Sequence, residues 1–203
     1  MSSVTPRALA NYASTLKSLI KMVESFFAPV YIDGGGVPTI GYGFALATVS
    51  GGVWSVNPEN SLLPTPLSVN QAKELNDAIA NLNKYKLGAT AKVENDKITS
   101  DLQSYTVTEP QATVMLDANI KAAEAEVERI LKKNGVTATE WLALAGSREL
   151  AAMVDMKFNG VFGSKTAKAF ASGDRAAFWY EIRYGNVSAT GTGPNDRGLQ
   201  KRR

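Results

Sequence analysis

The chain is expected to fold as an α+β protein, mainly helical, with one small sheet near its amino end. Three observations lead there. Long stretches on both sides carry apolar residues at helical spacing. A single glycine-rich stretch, residues 33–43, joins short β-prone runs. The strand signals come early and the helix signals dominate afterwards, the order expected when helices segregate from strands.

Taken in order, Thr5-Pro6 has the form of a helix start, a capping threonine before a first-turn proline. Leu9, Tyr12, Leu16, Leu19, Ile20, Val23, Phe26 and Phe27 continue as an apolar stripe that Pro29 should close. Glu24 lies one turn after Ile20, at the stripe's edge. Val30-Tyr31-Ile32 and Val37 to Phe44 then predict a hairpin with Asp33-Gly34-Gly35-Gly36 as its turn. Residues 47–67 are rich in Ser, Gly, Pro and Asn and read as a loop. Ser68 caps a helix to about Lys86, and residues 87–105 give no clear pattern. Thr108 caps a long helix to about Lys133, ended by Gly135, and four shorter helices follow near 137–145, 147–157, 164–172 and 174–183.

Composition narrows the chemistry. With 203 residues, 44% apolar and 20% charged, the chain suits one domain, or one with two lobes. A net charge of +3 favours anionic partners without selecting any. There is no cysteine and no histidine, which excludes disulfides, thiol nucleophiles, Ser-His-Asp triads and metal sites built on His or Cys. Proton transfer is left to carboxylates, Lys, Tyr or water. Neither a secretory leader nor an apolar run of membrane-spanning length is evident, so no stable membrane insertion is expected.

Each part of the segment from 24 to 43 has an ordinary explanation. Glu24 reads as a solvated helix acid, Asp33 as a turn residue and Thr39 as a strand residue. Their spacing is more specific. Glu24, then Asp33 nine residues later, Thr39 six after that, and Ile40-Gly41-Tyr42-Gly43 resemble the signature of phage-type lysozymes, glycoside hydrolase family 24. Val107-Thr108-Glu109-Pro110-Gln111-Ala112 and the helix after it look like that family's long interlobe helix. Met156 to Gly160, Ala171 to Asp174 with Phe178-Trp179, and Gly198-Leu199-Gln200-Lys201-Arg202-Arg203 are also similar to family segments. The resemblance covers about residues 12–46 and 106–203.

This resemblance implies a two-lobed lysozyme-like fold in a single catalytic domain, 1–203. Its small lobe would span about 20–107, and its helical lobe about 108–203 plus the amino-terminal helix. It implies hydrolysis of the β-1,4 bond between N-acetylmuramic acid and N-acetylglucosamine in peptidoglycan, with inversion and without metal or cofactor. Glu24 would be the general acid, Asp33 would hold or activate the water, and Thr39 would orient it. Gly43, Phe158 and Asn159 would line the substrate site, and Arg202 would contact the catalytic Glu. Read by themselves, Phe158 is equally a core side chain, Asn159 a helix-ending residue and Arg202 part of a solvated basic tail. The physics agrees with the chemistry. A Glu at the rim of an apolar face is partly desolvated and kept protonated, while an Asp in a wet turn stays ionised. The glycines would let a sugar chain lie against the hairpin backbone.

The resemblance further implies an endolysin acting alone, made in the bacterial cytoplasm and released to the wall through a holin. Virion-associated or effector lysozymes would use the same domain. Departures from the family pattern are Phe44 where a histidine is usual, an insertion over about 47–105, a shortened segment after Phe158, and an end at Arg203 where relatives run on into a final helix. Trp54, Trp141 and Trp179 are candidates to stack on sugars, although the last two sit in helical apolar patterns. Two alternatives stay open: a non-catalytic peptidoglycan-binding module and a lytic transglycosylase, which needs the acid but no water-holding Asp. Nucleic-acid binding is disfavoured, because aromatics do not interleave with the basic residues.

Overall fold

The computed structural model describes residues 6–183, which form a mainly helical α+β arrangement with two small antiparallel sheets. One compact unit is Glu24–Ala118; the other takes the remaining described residues, up to Val23 and from Asn119 onward. No described helix is long and apolar enough to cross a membrane.

The first unit holds the predicted hairpin. Strands β1 (Phe27–Ile32), β2 (Pro38–Gly41) and β3 (Phe44–Ala45) form a sheet in that order. β1 is wider than expected because helix α1 (Tyr12–Glu24) stops earlier than its apolar stripe suggests. Ser25 turns left-handed at φ 58°, and Phe27 and Pro29 belong to the sheet rather than to the helix. Proline is tolerated there because β1 is an edge strand and Pro29 has no N–H to place in a ladder. Its neighbours close the edge: the Val30 N–H donates to the Tyr105 carbonyl (3.0 Å) and the Val107 N–H to that of Ala28 (2.9 Å).

Residues 47–56, expected as loop, form a second hairpin of β4 (Ala47–Ser50) and β5 (Val53–Val56). Gly51 and Gly52 both have positive φ, 57° and 82°. That is the conformation a two-residue hairpin turn demands, and a Gly-Gly pair supplies it at least strain. Helix α2 (Val69–Tyr85) starts where expected, with Ser68 and Gln71 completing a reciprocal cap. The unassigned stretch contains α3 (Ala89–Ile98) and α4 (Ser100–Gln103). α3 gave no periodic signal because only Ala91 and Asn95 of its side chains are buried and Gly88 before it makes no side-chain cap. Ile40, Phe44, Leu46, Leu75, Leu82, Leu102, Met115 and Leu116 are almost wholly buried and make up this unit's core.

In the second unit, α1 begins at Tyr12, later than Thr5-Pro6 implies. The chain before it is spent on pairing: Ala8 bridges Ser147, and the Leu9 N–H donates to the Gly146 carbonyl (2.9 Å). Helix α5 (Glu109–Lys133), the expected long helix, begins in the first unit and ends in the second. Helices α6 (Ala138–Leu144), α7 (Arg148–Phe158), α8 (Ser164–Ala171) and α9 (Arg175–Arg183) match the four predicted short helices. Val127, Leu131, Leu144, Leu150, Val154 and Ala167 supply the buried apolar surface.

Candidate functional site

Glu24, Asp33, Thr39 and Gly43 all lie in the first unit. Asp33 follows β1 directly and closes a tight turn with its own side chain. Its Oδ1 accepts the N–H groups of Gly35 (2.7 Å) and Val37 (2.8 Å). This makes the turn residue reading correct as far as it goes. It also divides the carboxylate: Oδ1 is committed to the backbone, so any work on a water falls to Oδ2.

Two of the glycines around Asp33 have a packing reason of their own. Gly36 has φ 95°, and a Cβ there would come within 2.8 Å of the Ala91 Cβ and of the Lys92 nitrogen on α3. Gly41, at φ 66°, would place a Cβ 2.9 Å from that of Ala112 on α5. At these two positions the space is filled by helices, and no sugar is needed to explain the glycines. The turn is also gripped by α3, since the buried Asn95 donates to the Gly36 carbonyl (2.8 Å) and the Gly88 N–H to that of Gly35 (2.9 Å). Asn81 in turn donates to Asn95 Oδ1 (2.9 Å), so that buried amide is used on both sides.

Thr39 is buried, and its hydroxyl donates to the Val37 carbonyl (3.0 Å). A hydroxyl with its proton spent in this way still has a lone pair to offer a water. Thr39 sits directly across the hairpin from Tyr31. Opposite residues on an antiparallel pair share a face, and Asp33 is two residues along from Tyr31. Gly43 is half-buried at φ 79°, between β2 and β3. Its neighbour Tyr42 is buried, donates to Glu109 (2.5 Å) and packs its ring 5.6 Å from Phe26.

Tyr31 is the residue that sequence reasoning missed. Burial, then the negative charge of Glu24, then that of Asp33 push its phenol up to about 12. One hydroxyl is thus raised by the charges of both the half-buried Glu24 at the end of α1 and Asp33 in the hairpin turn. The available signal was the aromatic two positions before Asp33 on a strand, which alternation puts on the same face.

The raised phenol has a consequence for stability. Between pH 10 and about 12 the unfolded chain has lost the Tyr31 proton and the folded chain has kept it, so stability falls as pH rises across that window. Tyr31→Phe should flatten the alkaline loss, measured as urea midpoints from pH 9 to 11.5. Some slope should persist, because Tyr12, half-buried and hydrogen-bonded to Glu124 (2.9 Å), is also raised well above its usual range.

The remaining expected site residues lie in the second unit or outside the described residues. Phe158 ends α7 in the second unit and is half-buried. Asn159 caps that helix, its amide donating to the Asp155 carbonyl (2.9 Å), as the helix-ending reading requires. Arg202 lies outside the described residues, as does the Gly198 to Arg203 segment. Trp54 is half-buried on β5, whose backbone at Trp54 is clipped on both sides by the Asn83 amide (2.8 and 3.0 Å). Among the described residues no group of three or more His, Cys, Asp or Glu side chains is placed to hold a metal ion. No family model matches the chain, and neither a curated protein nor a solved structure does.

Proposed function

We propose that this protein is a muramidase of the phage-lysozyme type, cleaving the β-1,4 bond between N-acetylmuramic acid and N-acetylglucosamine in bacterial peptidoglycan. The observation that carries the reading is the placement of Asp33 in the hairpin turn two residues after Tyr31, with Thr39 directly across from Tyr31 and the charges of both Glu24 and Asp33 acting on its phenol. Two carboxylates with different surroundings are what glycoside hydrolysis requires. Glu24 delivers its proton to the leaving glycosidic oxygen as the bond to the anomeric carbon breaks. Asp33, through Oδ2, takes a proton from the attacking water, and Thr39 accepts a hydrogen bond from that water. Tyr31 stays neutral at any physiological pH and adds no third charge. Attack from the face opposite the leaving group inverts the configuration, which calls for carboxyls roughly 6.5–9.5 Å apart. Peptidoglycan is the partner, no cofactor takes part, and release to the wall by a holin fits this reading.

One observation favours a second reading. Because Asp33 Oδ1 is fully used in its own turn, the acid without a water-holding partner would describe a lytic transglycosylase. Mass spectrometry of muropeptides from purified peptidoglycan separates the two. Reducing muramic ends are the expected product. Anhydromuramic ends would move the protein to the transglycosylases, and undigested wall from folded protein would leave a binding module.

A further inference from the structure

Phe27 is the aromatic residue that the catalytic reading does not use. It lies on β1, is 47% exposed, and its ring centroid is 4.9 Å from that of Tyr31 at a tilt of 44°. A ring this exposed, packed on a second aromatic beside the candidate site, is accessible for a ligand to cover. The register of β1 shifts between Phe27 and Tyr31, yet their rings meet, and Tyr31 is in turn opposite Thr39 and within the field of Glu24 and Asp33. The two rings therefore make a continuous aromatic surface running from the candidate catalytic hairpin outward to solvent.

From this juxtaposition we infer that Phe27 and Tyr31 form a stacking subsite for a pyranose ring of the glycan chain, next to the bond that is cut. This rests on the muramidase reading and deepens it by naming a binding element. The chemistry suits a sugar: the negative face of an aromatic ring attracts the weakly positive C–H groups that line one face of a β-linked pyranose. The neighbouring polar groups meet its hydroxyl and acetamido substituents, the usual division of labour in a ligand site. Both residues are held by the sheet, but Tyr31 is half-buried whereas Phe27 is the more exposed ring. Phe27 is accordingly the residue on which binding should depend.

The test is titration of soluble N-acetylglucosamine oligomers of three to six units into Glu24→Gln protein, followed by tryptophan and tyrosine fluorescence and by calorimetry. The variants Phe27→Leu and Phe27→Trp are compared in that background. Leucine keeps the apolar bulk and loses the π face, so it should weaken the longer oligomers by about three- to tenfold, while tryptophan should hold or tighten them. In the otherwise wild-type enzyme Phe27→Leu should raise KM on peptidoglycan by a similar factor and leave kcat within about twofold. Equal oligomer affinity for Phe, Leu and Trp would overturn the subsite, as would Phe27-dependent self-association in sedimentation, which would make the patch a contact between copies. Failure of the muramidase reading looks different: wild type would leave peptidoglycan uncut while the dependence on Phe27 in oligomer binding persisted.

Discussion

Glu24→Gln is expected to lower peptidoglycan hydrolysis by about 10²–10⁴-fold, the usual worth of a positioned general acid. Glutamine has the shape of the acid and its hydrogen-bonding reach but no proton to give. The loss should appear in kcat and kcat/KM alike, because the transfer occurs in the transition state. Release of reducing ends, measured beside the urea midpoint of each protein, separates lost chemistry from lost fold. Full activity in a folded Glu24→Gln protein would mean that another group carries the proton, and the pairing with Asp33 would lose its catalytic meaning.

The largest stability effect is expected at Gly36. An alanine there would have to hold φ near 95° and place its Cβ 2.8 Å from the Ala91 Cβ and 2.9 Å from the Ala91 carbonyl carbon. A real Cβ does not sit that close to backbone, so the turn and α3 must separate. Strain and overpacking together should cost about 2–5 kcal/mol. The Asn95 bond to the Gly36 carbonyl would stretch as well, exposing a buried amide to loss of a partner. Gly34→Ala is the matched control, since its Cβ meets nothing within 4 Å and its φ is not left-handed. It should be neutral, or stabilising by up to about 1 kcal/mol. Urea denaturation with an unchanged slope would report both. Equal stability of the two variants would show that α3 does not grip the turn.

If the Asp33 turn depends on α3, the region between the hairpins and α5 has an assigned purpose. Residues 87–105 gave no pattern in the sequence, yet they hold the turn on which Asp33 is mounted. Gly36→Ala should therefore depress activity further than its stability loss alone, because Asp33 Oδ1 is bonded to both flanking positions, Gly35 and Val37. The muramidase reading and the packing argument meet at this turn.

Local chemistry determined much of this protein directly from its sequence. Ser68 with Gln71 and Thr137 with Glu140 are caps complete within four residues, and the helices they open start where those residues stand. The hairpin across Asp33 was legible because a turn and its flanking strands are contiguous. Gly51-Gly52 carried the same kind of signal, but it was masked by the loop-like composition around it. The long helix was visible because its apolar stripe repeats over many turns. The grouping of Glu24, Asp33 and Thr39 in one short segment was legible as a spacing.

Only the tertiary structure decided what those residues meet. Whether α1 would run on to Pro29 depended on whether Phe27 to Ile32 found a partner strand, and that partner lies across a turn and in the segment 105–107. The purpose of Gly36 and Gly41 depended on helices approaching from 55 and 71 residues further along the chain (91 minus 36, and 112 minus 41). The Tyr31 phenol is raised by burial and by the charges of Glu24 and Asp33, and Asn95 is held by the carbonyls of Gly36 and Ala78. The physical reason is common to all of them. Caps, turns and stripes are settled between neighbours in the chain. Close approach, shared electrostatic fields and buried hydrogen bonds exist only once distant segments have been brought together.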